Sequence, residues 1–247
     1  MSALIEPIVQ RLGRAKQIVV MTGAGASAES GIPTFRDALE GHWSRFRPEE
    51  LASPEAFLAH PERVSRWYEG RRQQVLACEP NDGHRALAQL EAWAEGSGRS
   101  VTLVTQNVDG LHQRAGSREV LELHGSILRW REVETGAFVT LPSEAQTTFP
   151  LRSSAGALLR PDVVWFGEAL PETVLAAALA ATASADFFVS VGTSGVVYPA
   201  AGLIDLAIQR GAVTVEINPQ TTPFSGRVDY TLAGSSAPLL NQLVGAL

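Results

Sequence analysis

Gly23 and Gly25, with the small residues Ala24, Ala26 and Ser27, follow directly on the apolar run QIVVMT. Backbone amides in such a stretch can approach a pyrophosphate with no side chain in the way. A lone G-x-G fits a plain tight turn equally well. The continuation SGIPTFRD shifts that balance: Pro33 stiffens the loop, Phe35 supplies a flat apolar face, and Arg36 supplies a fixed cation beside the phosphates. A loop that only turns a corner needs none of these.

The next cluster is TQNVDGLHQRAG, residues 105–116. Gln106, Asn107 and Asp109 crowd the end of an apolar run, where Asn can bond a sugar hydroxyl and Asp can accept from a carboxamide NH2. The same N-V-D-G also reads as a turn closed by Asx hydrogen bonds. Of five histidines, His42 and His60 sit in loop-like contexts, His84 near a helix start, and His112 after the turn. His124, in LELHGS, stands before a glycine at an expected strand end, the best place for a general base. A histidine alone is more often structural.

These residues need a frame. The runs at 17–23, 101–107, 187–193 and 213–218 are continuous and β-branched, as buried strands are. PAAGLIDLAIQRG has helical spacing and ends at a glycine cap, and NDGHRALAQLEAWAEG is a helix capped by Asn81 or Asp82. Strand and helix alternating this way predict an α/β fold with a mostly parallel sheet covered on both faces. Two inserts break the pattern: a helical one at 38–78, and one at 128–160 with a hairpin around Glu134 to Gly136. That hairpin is expected to pack Trp130, Val133, Phe138 and Val139 against the sheet. The expected division is a nucleotide-binding domain of residues 1–37, 79–127 and 161–247, and a small domain of 38–78 and 128–160.

Composition narrows the partners. The chain of 247 residues is 45% hydrophobic and 19% charged with net charge -6, so a basic nucleic-acid face is not expected. Its one cysteine, Cys78, permits no internal disulfide and no four-thiolate zinc site, which fits a cytoplasmic protein. No apolar stretch reaches the ~20 residues of a membrane span, and the first residues read as an amphipathic helix rather than a signal peptide.

GAGASAESGIPTFRD, TQNVDGLH, ELHGS, RPDVVWFGE, VGTSGVVYP and INPQ stand in the order found in sirtuins, which this chain resembles from about residue 15 onward. The resemblance implies a Rossmann-like NAD-binding domain with a small domain made of two insertions, and NAD-dependent removal of acyl groups from protein lysines. It places Ile32, Pro33, Phe35 and Arg36 over NAD. Gln106, Asn107, Val108 and Asp109 fall at the nicotinamide ribose and carboxamide. Gly192, Thr193 and Ser194 fall at the phosphates, Asn218, Pro219 and Gln220 at the adenosine ribose, and Ser236 near the adenine. His124 would deprotonate a ribose hydroxyl that attacks the acyl carbon, giving O-acyl-ADP-ribose, nicotinamide and free lysine. Val164, Trp165, Phe166, Gly167 and Glu168 would bind the acyl-lysine peptide as an added strand.

Tyr68 and Arg71, three apart on one helix face, could hold an acidic acyl group through a guanidinium–carboxylate pair. A solvated basic face is the plainer reading, with Arg63, Arg66 and Arg72 nearby. Sirtuins that remove succinyl or malonyl groups carry this pair after a stretch similar to RPEELASPEAF, and small Ala38 would leave room for a larger acyl group. The family's two Cys-x-x-Cys pairs are missing, with Arg152 and Ala155 near the expected thiol positions, so no zinc is expected. NAD glycohydrolase, ADP-ribosyltransferase and a non-catalytic NAD sensor are the alternatives.

Overall fold

The structure is a computed structural model that describes residues 2–32 and 47–247, so the expected site residues Pro33, Phe35, Arg36 and Ala38 lie outside the described residues. Its strands are β1 (Gln17–Thr22), β2 (Ser100–Thr105), β3 (Val120–Glu122), β4 (Gly125–Glu132), β5 (Phe138–Val139), β6 (Leu159–Val163), β7 (Phe187–Val191), β8 (Val213–Asn218) and β9 (Tyr230–Ala233). The helices are α1 (Ser2–Leu12), α2 (Pro54–Ala59), α3 (Pro61–Ala77), α4 (Asp82–Ala94), α5 (Leu111–Arg114), α6 (Glu172–Ser184), α7 (Gly202–Arg210) and α8 (Ser236–Val244).

Six strands form one parallel sheet in the order β3-β2-β1-β7-β8-β9. Successive side chains of a strand point to opposite faces. Ile18 and Val20 accordingly join Leu103, Phe187 and Val215 under α1, α4 and α8, while Val19 and Met21 join Val104 and Phe188 under α6 and α7. Burial on both faces explains why these strands read as unbroken apolar runs. From β1 the chain winds through β2 and β3 to one edge, and from β7 through β8 to β9 at the other. The order reverses between β1 and β7, and the crevice beyond their carboxyl ends is where such sheets bind ligands.

The helix ends follow their caps. Asn81 Oδ1 accepts from the amides of Gly83 and His84 at 2.9 and 3.2 Å, starting α4. Gly211, at φ 77°, closes α7 in the left-handed region that glycine enters freely.

A separate antiparallel sheet, β5-β4-β6, packs with α2 and α3 around Leu51, Phe57, Trp67, Tyr68, Trp130 and Trp165. Its strands β4 and β6 run across the boundaries expected at 128 and 160. The hairpin turn forms as expected, the Gly136 amide donating to Glu132 O at 3.0 Å. Its packing differs: Trp130 is fully buried and Val139 packs beside it in this small core, but Phe138 is 68% exposed and Val133 38% exposed. In the two-residue strand β5, paired with β4, successive side chains point to opposite faces, so Val139 turns to the small core and Phe138 away from it.

Candidate active site

The glycine loop and the loop after β7 interlock beyond the strand ends. The Gly23 amide donates to Val191 O at 2.9 Å and the Gly25 amide to Gly192 O at 2.8 Å. A Cβ at Gly25 would lie 2.7 Å from Gly192 Cα, backbone against backbone, and Gly192 itself has φ +59°. No side chain fits there. Gly25→Ala should therefore strain both loops at once, at roughly 1–3 kcal/mol for overpacking. It should lower the melting temperature by about 2 to 12 °C and weaken dinucleotide binding, measured by thermal unfolding and titration.

Thr193 joins the loops. Its Oγ1 accepts from Gln106 Nε2 at 2.9 Å and its carbonyl from Asn218 Nδ2 at 2.8 Å. The Gln220 amide donates to Asn218 Oδ1 at 3.1 Å, folding Pro219 between them, and Ser194 is exposed alongside. Ser236, at the start of α8, donates to Gly25 O at 3.2 Å. Residues of five sequence segments thus meet at one rim.

Deeper in the crevice, Asn107 Nδ2 donates to Gly23 O at 3.0 Å and to Ser27 Oγ at 3.1 Å. Ser27 Oγ donates to Asp109 Oδ2 at 2.7 Å, and Asp109 Oδ1 takes the Leu111 amide at 2.9 Å. Burial raises the Asp109 carboxyl above its usual range, and these donors only partly offset it. His84 Nδ1 accepts from the Asn81 amide at 3.2 Å, which leaves its Nε2 proton for Ser27 Oγ at 3.3 Å. His112 meets Thr22 Oγ1 at 2.9 Å, its ring 4.8 Å from that of His84. Burial holds His84 down to about 4 and His112 to about 3, so both are neutral braces. The network of Ser27 with His84 was not read from the sequence; the helix-start context of His84 was its one visible sign.

His124 is half-buried at the turn between β3 and β4, its Nδ1 2.9 Å from Gln106 O. A carbonyl only accepts, so Nδ1 carries the proton and Nε2 is the basic atom. Burial lowers the ring's pKa, and the bond to Gln106 opposes part of that shift.

The expected peptide segment is a turn rather than a strand beyond Val163, which ends β6. The Val164 amide donates to His124 O at 3.0 Å and the Phe166 amide to Ala52 O at 2.9 Å. The Trp165 amide donates to Glu168 Oε2 at 2.8 Å and the Glu168 amide to Trp165 O at 3.0 Å. Gly167 has φ +87°, Phe166 is 48% exposed, and Trp165 is buried with its Nε1 donating to Tyr68 Oη at 2.9 Å. Burial pushes the Tyr68 hydroxyl up, so it stays a neutral donor. Arg71, on the next turn of α3, lies 5.2 Å from the centre of the Trp67 ring. Its charge is felt at Tyr68 and Asp109. Ile32 and Val108 pack against the same small core. Two further residues were missed: Phe224, which a Cβ at Gly195 would meet at 2.8 Å, and buried Glu216, which accepts from Thr222 and Ser225 to hold the Phe224 loop.

Residues 23–199 match the Sir2 family model. This chain belongs to the Sir2 family. An NAD-dependent protein deacylase of Deinococcus radiodurans is 48% identical over 94% of this chain and 95% of its own length. Among solved structures, a Sir2 homolog–NAD complex superposes with TM-score 0.90 at 45% identity, covering 97% of this chain and 92% of that one. A Sir2–p53 peptide–NAD+ complex gives 0.83 at 30% identity over 98% and 97%. Sir2 chains with a structural zinc would need four donors in the small lobe. Among the described residues no three His, Cys, Asp or Glu side chains gather as a metal site. Arg152, near an expected thiol position, donates to Gly156 O at 2.8 Å. The described residues of this lobe do not supply that donor set.

Proposed function

We propose that this Sir2 family chain is an NAD-dependent protein-lysine deacylase that accepts succinyl and malonyl as well as acetyl groups, and that it does so without zinc. The observation that carries the reading is the convergence of the side-chain-free Gly25–Gly192 contact with a His124 whose Nε2 is the basic atom. The glycine contact closes the two loops on each other with no Cβ between them, at the crevice where a pyrophosphate would lie. NAD, when bound, supplies the ribose carbon and hydroxyls that receive the acyl group. Asn107 and Asp109 are held by Ser27 and the Gly23 carbonyl in the position to bind ribose and carboxamide. His124 Nε2 takes the proton of a sugar hydroxyl, and the Gln106 carbonyl stabilises the cation that forms.

The peptide enters against the 164–168 turn. Four of its amides are already donated, so the Gly167 amide is what an incoming strand would pair with. Exposed Val196 and Val197 offer the opposite wall. Tyr68 Oη accepts from Trp165, which leaves its own proton for an acyl carboxylate, with Arg71 beside it.

Acetyl-, succinyl- and malonyl-lysine peptides incubated with NAD should each yield O-acyl-ADP-ribose by mass spectrometry. Turnover should survive a zinc chelator, with no stoichiometric zinc by metal analysis. Free or protein-linked ADP-ribose as the sole product would point to a glycohydrolase or ADP-ribosyltransferase, and no turnover on any peptide would leave an NAD sensor.

A further inference from the structure

Helix α3 carries two interleaved sets of side chains. Tyr68 meets Trp165 and Arg71 lies within electrostatic reach of Asp109, while Glu69, Arg72 and Gln73 turn toward an irregular segment after β5. The Glu69–Arg72 pair is buried, with side chains 4% and 3% exposed, and doubly bonded at 2.7 and 2.9 Å. A buried ion pair is in itself poor grounds for stability, since apolar residues of the same size often serve as well. What distinguishes this one is where its remaining valences go. Glu69 Oε1 accepts the Gln146 amide at 2.9 Å, and Arg72 Nη2 donates to Glu144 O at 3.1 Å. Gln73 Nε2 bridges Glu69 Oε1 and Ser143 O, each at 3.0 Å.

Three backbone sites within residues 143–146, a segment with no ladder of its own, are thus satisfied by one turn of α3. That same turn contains Gly70, a residue of poor helix propensity, at its centre. With 3.6 residues per turn, fixing positions 69, 72 and 73 from outside also fixes the directions of 68 and 71. Burial raises the Glu69 carboxyl, but the bonds from Arg72, the Gln146 amide and Gln73 outweigh it and leave it below its usual range.

We infer that Glu69 is a positioning residue for acyl recognition: clamped with Arg72 and Gln73 onto residues 143–146, it holds the turn of α3 that presents Tyr68 and Arg71. This rests on the acyl-site reading above, so the test includes a readout that does not need it. Glu69→Gln and the double variant Glu69→Met with Arg72→Met would be followed by circular dichroism, amide exchange at 143–146, exchange of the Trp165 indole N–H, and steady-state kinetics. The double variant decides if the single one fails to fold, because it leaves no buried charge behind. Expected are an intact sheet, faster exchange at Gln146 and at the Trp165 indole, and a KM for succinyl-lysine peptide raised about tenfold. The KM values for NAD and acetyl-lysine peptide, and kcat, should stay within about twofold of the parent. Folded variants with unchanged Trp165 exchange and unchanged KM overturn the inference. If Arg71→Met leaves succinyl turnover intact, the acyl reading fails on its own. Trp165 exchange then still judges the clamp: faster exchange keeps it, and unchanged exchange removes it.

Discussion

His124→Ala is expected to lower turnover on any acyl-lysine peptide by ~10²- to 10⁴-fold, the usual worth of a positioned general base. NAD binding should persist. The proposed dinucleotide cradle draws on backbone at Gly23, Gly25 and Gly192 and on side chains anchored on Ser27 and Thr193; the imidazole meets it at the Gln106 carbonyl, and the Gln106 amide is held separately by Thr22 O. Calorimetric titration with NAD and single-turnover rates separate the two effects. Equal loss of binding and turnover would make the ring a structural prop and remove it from the chemistry. The pH profile gives an independent view. Burial keeps His124 neutral to lower pH than a solvated imidazole, whose pKa is about 6.5. Since the neutral form is the base, kcat/KM should hold through that value and decline only below it. An acidic limb centred above it would contradict the assignment.

Arg71→Met should reduce kcat/KM for succinyl- and malonyl-lysine peptides by roughly 10- to 150-fold, the range of a lost hydrogen bond to a charged group. Acetyl-lysine has no distal carboxylate, so its turnover should change little. Methionine keeps the apolar stem of the side chain and gives up only the guanidinium, whose carbon lies 5.2 Å from the Trp67 ring centre, so the small core should hold. The selective drop is the signature. Equal losses on acetyl and succinyl peptides would show that Arg71 supports the lobe and does not read the acyl group.

Much of the frame was legible because it is written in local pattern. β1, β2 and β7 carry apolar side chains on both faces and β8 on one, so their runs stand out without any knowledge of neighbours. The Asn81 cap and the Gly211 stop are likewise local signals. The small lobe was less legible for the opposite reason. All four hairpin residues were expected against the sheet; Trp130 and Val139 pack instead in the small core, while Val133 and Phe138 are exposed. Alternation in so short a hairpin does not say which face has a partner. VVWFGE was read as a substrate-binding segment with a buried core strand as the alternative, and only Val163 is in a strand. The turn beyond it is imposed by Arg160, which bonds Glu168 at 2.6 and 2.8 Å and covers the Trp165 ring at 3.5 Å. The clamp of Glu69 on Gln146 joins residues 77 apart, a contact for which a single sequence carries no sign.

The contact between Gly25 and Gly192 has a bearing on the life of the chain as it emerges from the ribosome. Because the crevice exists only where the first strand's loop has closed on the seventh's, a partly synthesised polypeptide offers a dinucleotide nothing to grip. Ligand occupancy therefore favours the completed molecule alone, and a cell rich in that nucleotide would hold more of its newly made copies in the finished state.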